Sequence, residues 1–260
     1  IMEYVPDSLY HVTKRYRRLE EPVPLILIKV YMYQLFRILA YLHSLNICHR
    51  SVKTPNILVD PESSVLKLCD FGSAKHLIGN HWMVIDNPSV NISRAAPELI
   101  IGCLNYTTKI DVWKAGCILA DLLLGRPIFH GTVTERWNEI TNTLGAPTQE
   151  QLTEMMNFNN ECDIEADAIP QNETDSLHLW NIVFQSAHHK SCEGIDLVSR
   201  LLKYCPRSRI TPLQACVHPF FDELRNPETR LPNGRILPPL FNFTEYELSI
   251  EPELNEDGGE

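Results

Sequence analysis

The sequence has 260 residues, a formal net charge of −10, and 44% hydrophobic against 22% charged residues. A chain of that length buries roughly 70–75% of its unfolded surface, so it can fold around one apolar core without disulfide or metal staples. The acidic balance excludes a broad electrostatic grip on nucleic acid or on an anionic membrane.

In chain order, Pro22 and Pro24 precede an amphipathic helix whose apolar positions Ile28, Met32, Leu35, Leu39 and Leu42 keep a 3.6-residue period. The apolar stretch Leu25 to Leu45 is interrupted by Lys29, Gln34 and Arg37. It reads as a core helix rather than a bilayer span. Two short β-type runs follow, Ile57-Leu58-Val59 and Val65 to Cys69, with the turn Asp60-Pro61-Glu62-Ser63-Ser64 between them, and they predict a hairpin. A helix over Thr108 to Leu124 is apolar on nearly every side, which places it at the centre of a helical body. Thr108 and Asp111 read as its capping box, and Gly125 and Pro127 as its stop.

Ile195, Val198, Leu201 and Leu202 mark a further helix, and Thr211-Pro212 with Gln214 opens the next as N-cap, N1 and N3. The polar segment Asn157 to Lys190 predicts a long irregular excursion. The acidic residues 251–260 predict a disordered tail. The expected fold is mainly α, with a small β-hairpin and polar loops on one side of it.

The eight cysteines include no C-x-x-C pair and read as reduced thiols of a cytoplasmic or nuclear protein. The N-x-S/T sequons at Asn91, Asn105, Asn172 and Asn242 read as chance, with no signal peptide ahead of them. His188, His189 and Cys192 raise a metal site, but three ligands in a polar excursion read better as a solvated loop. The first residue is isoleucine, so a fragment, an engineered piece or an incomplete gene model is expected.

The chemistry concentrates in the loops around the hairpin. Cys48-His49-Arg50-Ser51-Val52-Lys53-Thr54-Pro55-Asn56 lies between a helix end and a strand. Asp70-Phe71-Gly72 follows the second strand, and Ala96-Pro97-Glu98 comes later. In that order and context the three segments match the catalytic loop, D-F-G and A-P-E of protein kinases. Asp70 and Asn56 offer the oxygen ligands that a hard cation such as Mg²⁺ takes, and Lys53 can meet charge on a transferring phosphate. His49 reads as a packed structural histidine.

Further stretches narrow the resemblance. They are Tyr31-Met32-Tyr33-Gln34-Leu35-Phe36-Arg37, Val65 to Lys75, Asp111-Val112-Trp113, Leu123-Leu124-Gly125, Leu231-Pro232-Asn233-Gly234-Arg235 and Phe241-Asn242-Phe243-Thr244. Together they resemble the glycogen synthase kinase-3 (shaggy-like) serine/threonine kinases of the CMGC group. The resemblance implies a protein-kinase-like large (C-terminal) lobe with the hairpin at its cleft and the small lobe absent. It divides the chain into a hinge remnant (1–6), the lobe (7–222), a family C-terminal extension (223–250) and the acidic tail (251–260). It implies ATP and Mg²⁺ as cofactors, bound weakly or not at all by this segment alone, and protein substrates or signalling scaffolds of Wnt and glycogen type as partners. No nucleic acid or membrane partner is implied.

By the same resemblance, Tyr4 and Val5 belong to the hinge that meets adenine, Leu58 is the floor under the base, and Cys69 precedes D-F-G. Lys53, Asn56 and Asp70 are catalytic residues, with Asn56 and Asp70 the metal ligands. Arg50 and Lys75 hold a priming phosphate on the substrate. Glu98 pairs with Arg209, and Asp111 anchors the catalytic-loop backbone.

Four departures run against an active enzyme. Ser51 stands where the family has the catalytic aspartate, and losing such a base costs about 10²–10⁴-fold in rate. The glycine-rich loop, the strand lysine and the helix-C glutamate have no counterpart in these 260 residues. The activation segment Gly79 to Ser93 has no tyrosine, with Asn87 or Pro88 at the regulatory position and Asn91-Ile92-Ser93-Arg94-Ala95 before A-P-E. The docking segment Asn159 to Ile164 lacks the family's aromatic anchors, which puts Axin-type docking in question. The expectation is a catalytically impaired kinase homologue. The alternatives are an active kinase whose small lobe is encoded upstream, a non-catalytic binding module, or a gene relic.

Overall fold

The computed structural model describes residues 3–77, 83–84, 94–103, 105–156, 180 and 182–255. Most of the predicted excursion, Asn87, Pro88, Asn91 to Ser93, the segment Asn159 to Ile164 and the tail from 256 lie outside them. The elements run β1 (Asp7–Ser8), α1 (Leu9–Arg18), α2 (Leu25–Ser44), β2 (Ile47–Cys48), β3 (Ile57–Val59), β4 (Leu66–Leu68), β5 (Lys75–His76) and β6 (Met83–Val84). Then come α3 (Pro97–Ile100), β7 (Asn105–Tyr106), α4 (Lys109–Leu124), α5 (Val133–Leu144), α6 (Gln149–Met156), α7 (Cys192–Leu201), α8 (Pro212–Cys216) and α9 (Glu245–Leu248).

The core is built on α2 and α4. Helix α2 starts earlier than its first periodic residue, directly after Pro24, and buries Ile28, Met32, Leu35, Leu39 and Leu42. Its 20 residues and mean hydropathy of 1.5 would suffice to cross a membrane, but 61% of that stretch is buried inside the fold. In α4 every residue except Lys109 and Asp121 is buried, as an all-round apolar helix requires.

Helix α4 meets α7 at Gly116, where an added Cβ would stand 2.9 Å from Leu201 Cβ and from Leu202 Cδ2. Gly116→Ala should therefore lower stability by about 1–2 kcal/mol, even though alanine favours a helix. An unchanged urea midpoint would show that the two helices separate freely.

The predicted hairpin forms with Ile57 opposite Leu68 and Val59 opposite Leu66. It gains a third antiparallel strand, since β1 pairs with β3 through Asp7 opposite Val59. Helix α1 follows directly, with Ser8 accepting from the His11 N–H as N-cap. The capping box at Thr211 and Gln214 forms as predicted.

The capping box at Thr108 does not form. Thr108 sits in helical backbone geometry and its side chain caps nothing, because the Asp111 carboxylate is turned to another part of the chain. At the end of the predicted excursion Phe184–Ser186 form a 3-10 turn, Trp180 and Phe184 are buried in the core, and His189 Nε2 lies 2.7 Å from the Val23 carbonyl. No group of three metal-ligating side chains occurs among the described residues. Cys48, Cys103, Cys117, Cys205 and Cys216 are buried and in no disulfide, whereas Cys192 is exposed.

The segment after Arg225 is fastened across α2 by Arg37. Its Nε and Nη2 donate to the Glu247 carboxylate at 2.6 and 2.9 Å, and Nη1 donates to the Leu240 carbonyl and to Asn242 Oδ1. The guanidinium also lies 4.5 Å from the Phe243 ring centre. Hydrogen bonding from Arg37 outweighs burial and, with the Thr244 N–H, pushes Glu247 down to about 2.

The folded-state value thus lies below the ordinary 4.5, so this attachment is fully present above pH 4.5 and fades as pH falls toward 2. Arg37→Ala should loosen residues 240–248 at neutral pH, by about 1.5–3 kcal/mol for the charged hydrogen bonds removed. The check is amide exchange corrected for its intrinsic rate; equal protection in variant and wild type would exclude this attachment.

Candidate active site

The loop from Cys48 to Asn56 is held from below by α4. Asp111, in the first turn of that helix and fully buried, accepts from the His49 N–H at 2.7 Å and from the Arg50 N–H at 2.8 Å. Cys48 Sγ donates to the same carboxylate at 3.4 Å, and His43 Nε2 lies 3.3 Å away. Burial alone would raise the Asp111 carboxyl, but the His43 contact, the Lys114 charge and the loop N–H groups hold it below the usual carboxylate range. Lys114, also buried, donates its ammonium to the Arg50 carbonyl. Arg50 takes a left-handed backbone, φ 65°, and these contacts from α4 fix that uncommon conformation.

His49 ties the loop to the segment after β4. Its Nδ1 accepts from the Ser51 N–H at 3.3 Å, so the proton sits on Nε2, which donates to the Cys69 carbonyl at 3.1 Å. Burial lowers its pKa, in keeping with a neutral ring packed edge-on against Phe71 at 4.8 Å.

Ser51, Asn56 and Asp70 come together at the mouth of the loop. The Asn56 amide donates to the Ser51 carbonyl, to Ser51 Oγ and to Asp70 Oδ2, each at 2.9 Å. The Ser51 hydroxyl is 3.4 Å from the same Asp70 oxygen. Asp70 is itself left-handed, φ 65° and ψ 68°, which turns its exposed carboxylate back toward the loop. Lys53 lies two residues after Ser51, half-buried, at the N-cap of the short 3-10 helix Thr54–Asn56.

Leu58 is half-buried in the middle of the three-stranded sheet, and Cys69 is half-buried beside Asp70, its thiol pushed up by burial. Val5 is half-buried, whereas Tyr4 is 83% exposed. Pairing of β2 with β5 sets Lys75 opposite Cys48, two residues before Arg50. Arg50 Nη1 donates to the Tyr106 hydroxyl at 2.8 Å, with the guanidinium 5.9 Å from that ring centre.

Away from this cluster, Glu98 and Arg209 form a buried two-pronged ion pair at 2.8 and 2.6 Å. This pair fastens the Ala96-Pro97-Glu98 turn to the underside of α4.

A family model of the protein kinase domain matches residues 1–221. The chain belongs to the protein kinase domain family. In this kinase domain, the three sequence segments that carried the motif match are those that converge on Ser51, Asn56 and Asp70 or brace the body beneath them. Protein kinases generally work with ATP and Mg²⁺. The donor set fits the cation: Asp70 brings a carboxylate whose Oδ1 holds no hydrogen bond among the described residues, and Asn56 an amide oxygen. ATP with Mg²⁺ supplies the phosphoryl group in this family, and the domain's own residues here would position it.

Two supporting residues carried no signal in the sequence. Lys114 is a cation in the middle of an apolar helix, and His43 is a helix-end histidine. Each acquires a role only when the fold brings it to the loop through Asp111 or Arg50.

Proposed function

We propose that this chain is the large lobe of a glycogen synthase kinase-3-type serine/threonine kinase homologue in which phosphoryl transfer is impaired at Ser51. The observation that carries the reading is the enclosure of the Ser51 hydroxyl between the Asn56 amide and the Asp70 carboxylate, at the residue that the resemblance aligns with the kinase base. A serine hydroxyl keeps its proton at neutral pH, so it can donate to Asp70 but cannot accept a proton from a substrate hydroxyl. The apparatus around it supports kinase ancestry rather than a new chemistry: Asp111 under the loop, Asn56 beside Asp70, and Glu98 on Arg209.

The reading extends to a priming phosphate held by Arg50 and Lys75, to ATP with Mg²⁺ on Asn56 and Asp70, and to adenine lying over Leu58 beside Tyr4, Val5 and Cys69. It extends also to protein substrates of Wnt and glycogen type in the cytoplasm or nucleus. The intact Lys53, Asn56 and Asp70 favour a second reading, a working kinase that tolerates serine at the base position.

Phosphotransfer to a primed serine peptide, compared between the full protein and its Ser51→Asp variant, separates the two. Recovery of transfer in the variant supports impairment at this residue. Wild-type turnover within about tenfold of the variant supports the working kinase. Absence of transfer from both proteins favours a binding module.

A further inference from the structure

A groove of about 830 Å³ runs between α1 and the C-terminal end of α4. Arg50 and Lys75 do not line it, but Thr54 of the catalytic loop and Arg94, just ahead of Ala96-Pro97-Glu98, do. It therefore adjoins the site described above without being part of it.

Its charges are uneven. Arg94 is fully engaged with Asp121, at 2.7 Å from Nη2 and 3.2 Å from Nε, so these two lining residues neutralise each other. What remains is Lys14, Arg17 and Arg18 from α1 and Arg126 just past α4, against Glu20 and Glu21. All four cations are exposed, and none forms an ion pair among the described residues. Arg15, which does not line the groove, is held by Asp7 at 2.6 Å.

Cations near helix C-termini offset the helix dipole, which accounts for their placement. It does not occupy their N–H groups, and a guanidinium fork is the natural partner of a carboxylate. In a chain of net charge −10 this concave cluster of cations without ion pairs stands apart, although the Lys14 ammonium also lies 5.8 Å from the Tyr10 ring centre. A cleft focuses its field on an approaching anion.

We infer that this groove receives an acidic segment of a protein substrate, flanking the phosphoacceptor and separate from the flank that reaches Arg50 and Lys75. The inference rests on the protein-substrate reading proposed above. It adds to that reading a preference for glutamate or aspartate near the acceptor. Its volume has room for several side chains.

The test is fluorescence anisotropy with the 260-residue chain and two labelled probes. One is a short peptide with a run of glutamates ahead of a serine; the other carries one phosphoserine and no acidic residue. Arg17→Glu combined with Arg18→Glu should weaken binding of the acidic peptide about tenfold or more, and the milder glutamine pair should weaken it in the same direction. Both positions are exposed, so the fold should survive, which circular dichroism verifies. Arg230→Glu, a single charge reversal away from the groove, should leave the affinity unchanged. Added salt should weaken the acidic peptide in wild type and bring it toward the variant.

Unchanged binding of the acidic peptide in both Arg17/Arg18 variants overturns the inference. So does displacement of that peptide by inorganic phosphate as effectively as by the unlabelled peptide, which would mean a simple anion site. The phosphoserine probe reports on Arg50 and Lys75 independently. If it fails to bind while the acidic peptide depends on Arg17 and Arg18, the phosphate clamp falls and the groove stands.

Discussion

Arg209→Ala should lower the stability of this kinase domain by about 3–5 kcal/mol, the range expected when one partner of a buried ion pair is removed. Both side chains of the Glu98–Arg209 pair are almost wholly shielded, at 3% and 0% exposure. The loss reaches beyond one pair. Arg209 also donates to the carbonyls of Lys203, Lys109 and Tyr204, and its guanidinium lies 5.2 Å from the Trp113 ring centre.

Alanine would leave a buried carboxylate and three carbonyls without their donor, and a hole beside Trp113. Arg209→Lys should recover only part of the loss, because one ammonium cannot span five acceptors in a planar fork. Glu98→Gln should be milder than Arg209→Ala, since the amide oxygen still accepts one bond. Urea denaturation of the three variants checks the order. Equal stabilities for Arg209→Ala and wild type would mean that the turn at 96–98 is held by something else.

The site was legible where chemistry is written in adjacent residues. Asp70-Phe71-Gly72 and the loop from Cys48 to Asn56 announce themselves in the sequence, and the fold brings Ser51, Asn56 and Asp70 within hydrogen-bond distance. The core helices were legible for related reasons, since Ile28 to Leu42 repeat with the period of the helix they form and Ile110 to Leu124 is apolar on nearly every side.

Thr108 shows the limit. A threonine three residues before an aspartate is the same pattern whether the acid caps its own helix or reaches a loop some sixty residues back in the chain, as Asp111 does. Long-range demand won, because two loop N–H groups buried without an acceptor would cost more than an open helix start. Trp180 and Phe184 failed for a different reason. Isolated aromatics in a polar run have no period, so nothing local says that they are buried. The short helix α1 was available in principle from Ser8 followed by Leu9 and Val12, an N-cap ahead of helical spacing.

Ser51→Asp carries the other large expected effect, a gain of about 10²–10⁴-fold in phosphotransfer. The argument depends on the loop being independent of the side chain at 51. Its backbone is fixed by the Asp111 carboxylate at His49 and Arg50, by Lys114 at the Arg50 carbonyl, and by the His49 ring at Ser51 N–H and Cys69. None of these contacts uses the Ser51 hydroxyl. A carboxylate at 51 would inherit the Asn56 N–H that Ser51 Oγ now accepts, and so would be oriented by the same amide.

The gain should fall mainly in kcat, with the KM for peptide little changed, because a base acts on the proton in flight rather than on ground-state binding. Ser51→Ala is the control. If serine contributes only its hydroxyl bond to Asp70, alanine should transfer no worse than wild type, and both should lie far below aspartate. An aspartate variant that folds normally, binds the primed peptide and still gains less than about tenfold would overturn impairment at residue 51: measurable wild-type turnover would then favour the working kinase, and none from either protein the binding module.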